Sequence, residues 1–225
     1  MLNPIPVTKS QVIQRIRQAP PGQVWTPGDF LDLGGRDAVD KALQRLFANN
    51  ELRRIDRGLY DLPKLNSLTG QPAAPDYRQV IDAVGRRDQV RVMIDGITAA
   101  NDLGLTHAVP GQLVVHTDGR LRPIQLGQMT LKFKLTAPSK LYWAGRPAMR
   151  IVQALYWLKD GLKQAASPDQ EMVMKKLVRL LQSTQHGHSI IEDLQMGLHT
   201  LPAWMQAWVR DLLTRSATTD GKANL

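Results

Sequence analysis

Residues 51–63, Glu51-Leu-Arg-Arg-Ile-Asp-Arg-Gly-Leu-Tyr-Asp-Leu-Pro63, gather three guanidinium groups, Arg53, Arg54 and Arg57, around one glycine. Guanidinium forks match phosphate oxygens and the O6 and N7 edge of guanine, so the chemistry on offer is recognition of an acidic polymer. The apolar runs 52–55 and 59–62 flank Asp56-Arg57-Gly58, where glycine supplies the positive φ of a tight turn; the pattern predicts a hairpin that Pro63 ends. Leu52 and Ile55 cannot share a face at period 2, so a bulge or twist is expected near the turn.

A second donor set lies just upstream. After Gly34-Gly35, Val39, Leu43, Leu46 and Phe47 recur at helical spacing and predict a helix over 36–49. At about 100° per residue from Leu43, the opposite face carries Ala38, Lys41, Arg45 and Ala48, with Asp37 and Gln44 at its margins. Small residues let such a face approach base edges, and Lys41, Gln44 and Arg45 carry the donors. Asp37 and Lys41 are spaced for an i, i+4 pair, and a merely solvated helix surface is the plain alternative.

The elements that must hold these groups are also legible. Thr8 and Gln11 resemble a capping box that opens a first helix with Val12, Ile13 and Ile16 facing inward. Val24-Trp25 suits a short strand, and Thr26-Pro27 an N-cap and first position of a brief second helix through Phe30 and Leu31. Helix, strand, helix, turn, helix and hairpin is the winged helix-turn-helix order, expected over residues 1–63.

The formal charge of +9 and a pI near 10.0 favour an acidic partner, nucleic acid first. Residues 1–63 hold nine Lys and Arg against seven Asp and Glu, 64–150 twelve against six, and 151–225 eight against seven, so the excess falls in the middle of the chain. Zero cysteines exclude disulfides, thiolate zinc sites and cysteine nucleophiles. Without an apolar run of about 20 residues, or a charged start and apolar stretch at the N-terminus, the expectation is a soluble, cytoplasmic protein with no membrane partner.

Prolines, glycine and small polar residues over 64–76 predict a linker, followed by a C-terminal domain over 77–215 and a flexible tail over 216–225. That domain reads as a helix at Tyr77–Val84, a strand at Val90–Ile94, a short helix through 96–104, and a strand at Gln112–His116 with Asp118-Gly119 as its turn. In 129–136, Met129, Leu131, Phe133 and Leu135 alternate with Thr130, Lys132, Lys134 and Thr136, predicting a strand with one core face and one lysine face. Between Asp118 and Asp160 no acidic residue occurs, while Arg120, Arg122, Lys132, Lys134, Lys140, Arg146 and Arg150 do, which marks a cationic surface or a solvated sheet face. The last third is helical, and Trp157, Trp204 and Trp208 at helical spacing are core or a partner surface. The class is α+β: a winged helix and a mixed α/β C-terminal domain ending in helices.

Catalytic arrangements are sparse. His186-Gly-His188 lacks a third ligand, Val92–Thr98 is a strand entering a helix without a phosphate-loop fingerprint, and nothing in the spacing of Asp82, Asp95 and Asp102 requires a metal cluster. No catalytic residue, metal or cofactor is expected.

The blocks Ala42-Leu43-x-Arg45-Leu46, Arg57-Gly-Leu-Tyr60 with Pro63, Gly96-Ile-Thr-Ala-Ala100, Leu103-Gly-Leu105, Val109-Pro110 and Ala154-Leu155 occur in an order that resembles the AbiEi-type antitoxins of bacterial abortive-infection toxin–antitoxin systems. The likeness runs from about Gln11 to Ala207. It implies a non-enzymatic antitoxin, active in phage defence, whose winged helix binds inverted repeats in its own operator DNA and represses transcription. It also implies a C-terminal domain that counters a cognate nucleotidyltransferase toxin, often without a stable complex. Carried onto this chain, the DNA-reading residues are Lys41, Gln44 and Arg45 on the helix and Arg53, Arg54 and Arg57 on the wing. The cations from Arg120 to Arg150 are the expected neutralising or additional DNA surface. A stand-alone regulator with a sensing or dimerising domain, and a metal-dependent nucleic-acid-modifying enzyme using the three aspartates, stay open as alternatives.

Overall fold

In the computed structural model, which describes residues 9–108, 111–163, 168–183 and 186–218, the first helix, α1 (Lys9–Gln18), buries Val12, Ile13 and Ile16 as its spacing requires. Thr8, half of the expected capping box, and the Val109-Pro110 block lie outside the described residues. Strand β1 (Val24–Trp25) follows, then Pro27–Phe30, where the Asp29 carboxylate accepts from both the Thr26 amide (2.7 Å) and its hydroxyl (3.1 Å). This segment is one 3-10 turn, and it stops at Phe30; Leu31, expected inside the second helix, is exposed. Helix α2 (Arg36–Ala48) and the hairpin β2 (Arg53–Asp56) and β3 (Leu59–Asp61) complete the winged helix, with strand order β1-β3-β2. Its core joins Val12, Ile16, Phe30, Val39, Leu43 and Leu46. Phe47, placed inward by periodicity, is instead 44% exposed.

The hairpin turns at Gly58, with φ +70°, and its register shifts between Arg54 and Asp56, which makes Ile55 the extra residue that period 2 demanded. β1 adds antiparallel to β3, pairing Val24 with Asp61 and Trp25 with Tyr60.

By contacts the chain forms two compact units, residues 1–92 with 117–136, and 93–116 with 137–225. These units cut across the segments 64–76 and 77–215. Proline and glycine mark where the backbone bends, whereas packing decides which pieces stay together. Helix α3 (Tyr77–Asp88), capped by Asp76, packs on β1 and β3 and so belongs with the winged helix. So does the hairpin of β6 (Ile124–Leu126) and β7 (Met129–Leu135), which pairs Ile124 with Leu131 and Leu126 with Met129 through a two-residue loop begun by Gly127 at φ +62°. β6 lies against β2. Along β7 burial fades, from Leu131 at 0% exposed to Leu135 at 55%, while Lys132 and Lys134 are exposed as the alternation requires.

The second unit takes up the end of β4 (Val92–Ile94), then α4 (Gly96–Asp102) and β5 (Gln112–Thr117). The helices α5 (Met149–Trp157), α6 (Lys159–Lys163), α7 (Pro168–Ser183), α8 (Gly187–Gly197) and α9 (Ala203–Thr218) follow. α4 packs on α5, and α7 on α8 and α9. Gly96 permits the α4–α5 approach, since a Cβ there would stand 2.6 Å from Trp157 Cβ and 2.7 Å from the Gln153 carbonyl. Trp208 is core and Trp157 is 44% exposed. α9 runs to Thr218, with Ser216 buried and its carbonyl accepting from Gln182 (3.0 Å), so the expected tail from 216 begins inside a packed helix.

Candidate nucleic-acid interface

On α2, Lys41, Gln44 and Arg45 are exposed, beside exposed Ala48 and half-buried Ala38. Leu43 and Leu46, both at 0% exposure, hold the helix from the opposite side. The ion pair on this helix is Arg36–Asp40 (2.9 Å), not Asp37–Lys41. Arg36 thus offsets Asp40, and Lys41 and Arg45 have no acidic partner among the described residues.

The three wing arginines separate into two kinds. Arg54 and Arg57 are exposed. Arg53 is not a surface donor: its Nε (2.9 Å) and Nη2 (2.5 Å) grip the carboxylate of Asp61, which is 0% exposed, and its Nη1 donates to the Ala73 carbonyl (2.7 Å). Strand alternation explains the difference: Arg53 and Arg54 are consecutive, paired with Asp61 and Tyr60 ahead of the bulge, so their side chains leave on opposite faces and only Arg54 is left exposed.

Sequence reasoning missed what braces the wing. At the end of α3, Arg87 Nη1 donates to the Arg57 carbonyl (2.6 Å) and to Asp56 (3.3 Å), and its Nε and Nη2 grip Asp88. Burial works against the charge on Arg87, yet the hydrogen bonds and charges of Asp88 and Asp56 outweigh it and hold its pKa above the ordinary guanidinium value. Arg86 reaches the Val24 carbonyl (3.0 Å) and Asp29 (3.3 Å). A Cβ on Gly58 would make only ordinary contact with Arg87 Cδ, at 3.4 Å, so it is the positive φ of the turn and not the brace that calls for glycine there. The available signal was the Arg86-Arg87-Asp88 run closing an amphipathic helix. Arg87→Ala is expected to lower stability by about 1.5–3 kcal/mol, the worth of hydrogen bonds to a charged group, and to speed amide exchange at 56–58. Arg57→Ala, an exposed change, should stay within about 0.5 kcal/mol of the parent in the same denaturation measurement.

The acid-free run is divided between the two units. Arg120, Arg122, Lys132 and Lys134 are exposed and lie in the winged-helix unit, whereas Lys140, Arg146 and Arg150 lie in the other. Two of the latter have internal acids that sequence distance concealed: Arg146 binds Asp193 (2.7 Å) and Arg150 binds Asp102 (3.2 Å), both carboxylates 3% exposed.

The arrangements considered for chemistry are otherwise engaged. Asp95 caps α4 by accepting from the Thr98 amide (3.0 Å), which puts a carboxylate where a phosphate would sit. Asp82 falls in a different unit from Asp95 and Asp102. His188 pairs with Glu192 (3.0 Å), and among the described residues no group of three or more His, Asp or Glu is placed to hold a metal ion. No described helix is long and apolar enough to cross a membrane.

No curated protein matches the chain. Among solved structures, the crystal structure of the RV2827C protein from Mycobacterium tuberculosis is similar at 18% identity and a TM-score of 0.39, over 96% of this chain and 81% of that one. Matched from residue 11 to residue 188, more than half its length, the chain belongs to the family of unknown function DUF6088.

Proposed function

We propose that the protein is a DNA-binding antitoxin that represses its own promoter through α2 and the wing and counters a nucleotidyltransferase toxin. The observation that carries the DNA half is where the charge falls once the chain is divided by packing. The unit with the winged helix, residues 1–92 and 117–136, has eighteen Lys and Arg against eleven Asp and Glu, or +7 of the chain's +9. The remainder has eleven against nine. Counted along the sequence the excess falls at 64–150, and packing places 64–92 and 117–136, with α3 and the β6–β7 hairpin, in the same unit as the winged helix. A reading helix, an exposed wing and a cationic unit around them supply the two things DNA recognition needs: donors for base edges and a salt-dependent hold on phosphate.

The toxin half rests on the resemblance of the ordered blocks quoted above, of which Gly96-Ile-Thr-Ala-Ala100 builds the α4 start that packs on α5. Co-expression with the product of the adjacent open reading frame tests it, scored as growth. Rescue by the wild-type chain is the expected result. Operator binding without rescue would leave a stand-alone regulator and remove the antitoxin assignment.

A further inference from the structure

In the second unit a concavity of about 480 Å³ is bounded by the segment after α4, the start of α5, α7 and the first turn of α8. Arg146 and Arg150 line it over an apolar floor that includes Ile151, Leu180 and Ile190. Its size falls within the usual range for small-ligand sites. Both arginines are held from behind. The buried Asp193 carboxylate takes Nε and Nη2 of Arg146 and also the Ala148 amide (2.9 Å), while Asp102 takes Nε of Arg150. The Tyr142 ring lies 4.6 Å from the Arg146 guanidinium carbon and fixes that plane further.

This leaves a definite set of donors over. Among the described residues, Nη1 of Arg146 and both Nη groups of Arg150 have no acceptor, and the two side chains keep 29% and 40% of their exposure. The Arg146 guanidinium, its plane fixed by Asp193 and Tyr142, loses little further freedom on binding an anion, and Arg150 is tethered beside it through Nε. Three terminal nitrogens from two directions suit a tetrahedral anion with three free oxygens better than a planar carboxylate with two. The uncapped start of α8 beside them adds the positive end of its dipole. An apolar floor below the donors selects an anion carried on an apolar body.

We propose that this pocket binds a small organic phosphate monoester, with Arg146 and Arg150 on the phosphate and the Ile151–Leu180–Ile190 floor under its apolar part. The site is independent of the DNA-binding reading, since all its residues lie in the other unit.

Calorimetric titration of the full chain with phenyl phosphate tests it, with inorganic phosphate and benzoate as comparison probes. Phenyl phosphate is expected to bind at least tenfold tighter than either. The Arg150→Gln/Asp102→Asn double variant keeps a neutral hydrogen bond in place of the ion pair and should weaken phenyl phosphate binding at least tenfold, while Lys175→Gln leaves it unchanged. If the double variant does not fold, phenylglyoxal labelling of the wild-type chain replaces it: phenyl phosphate should protect Arg146 and Arg150 and not Arg120. Absence of binding at millimolar phenyl phosphate, equal binding by the folded double variant, or labelling without protection would overturn the proposal. Operator binding measured on the same preparation keeps its failure distinct from failure of the DNA reading.

Discussion

Replacing Arg53 with methionine is expected to cost about 3–5 kcal/mol of stability, the penalty for leaving a buried carboxylate without its partner. Asp61 is 0% exposed at the middle of the β1-β3-β2 sheet, and Arg53 is the residue that meets both of its oxygens. The methionine keeps most of the aliphatic stem, so the loss isolates the charge. The Arg53→Met/Asp61→Leu double variant should recover most of it, because two buried charges replaced by packed apolar groups are often neutral or better. Urea denaturation of the three proteins measures both steps. A single variant as stable as the parent would show that Arg53 is the exposed wing donor its position in sequence suggested.

Gly197→Ala, at the end of α8, is expected to be nearly as damaging, by about 1–3 kcal/mol of overpacking. The backbone there has φ −89°, which alanine adopts freely, so the obstacle is steric alone. A Cβ would stand 2.6 Å from Trp143 Cζ2, and the indole cannot yield: it is 5% exposed, edge-on to Tyr142 at 5.2 Å and covered by Arg146. Trp143→Phe in the same chain should lose less together with Gly197→Ala than the two losses added, since they share one contact. Gly161→Ala, in α6 with open space around it, should instead raise the thermal midpoint, worth about 0.5–1 kcal/mol of helix propensity. Equal effects at Gly197 and Gly161 would refute the packing argument.

The winged helix was legible because its signals are local. Glycine at 58 sets the turn, period 2 broken at Leu52 and Ile55 demands the bulge, and Val39, Leu43 and Leu46 choose the face of α2. What escaped depends on partners far along the chain. Arg53 and Arg54 are chemically identical neighbours, and only the register against Asp61 decides which is pinned and which is exposed. Arg146 and Arg150 sit in a run without acids, yet Asp193 and Asp102 come to them from 47 and 48 residues away. Hairpin β6–β7 was half seen: the seven-residue alternation of β7 stood out, while the three residues of β6 were too few to show a period. Grouping by proline and glycine likewise separated part of the cationic excess from the winged helix with which it packs.

The claim that α2 and the wing read DNA is tested most directly by fluorescence anisotropy. The probe is a labelled duplex from upstream of the gene, titrated with wild-type chain and with Arg45→Ala/Arg57→Ala from 50 to 200 mM salt. Wild-type chain is expected to prefer this duplex over an unrelated one, with affinity falling steeply as salt rises. The double variant should bind about 2–4 kcal/mol more weakly, as loss of one base contact and one phosphate contact requires, with a shallower salt slope. Equal affinity for both duplexes by the wild-type chain, or an unchanged slope and affinity in the double variant, would contradict it.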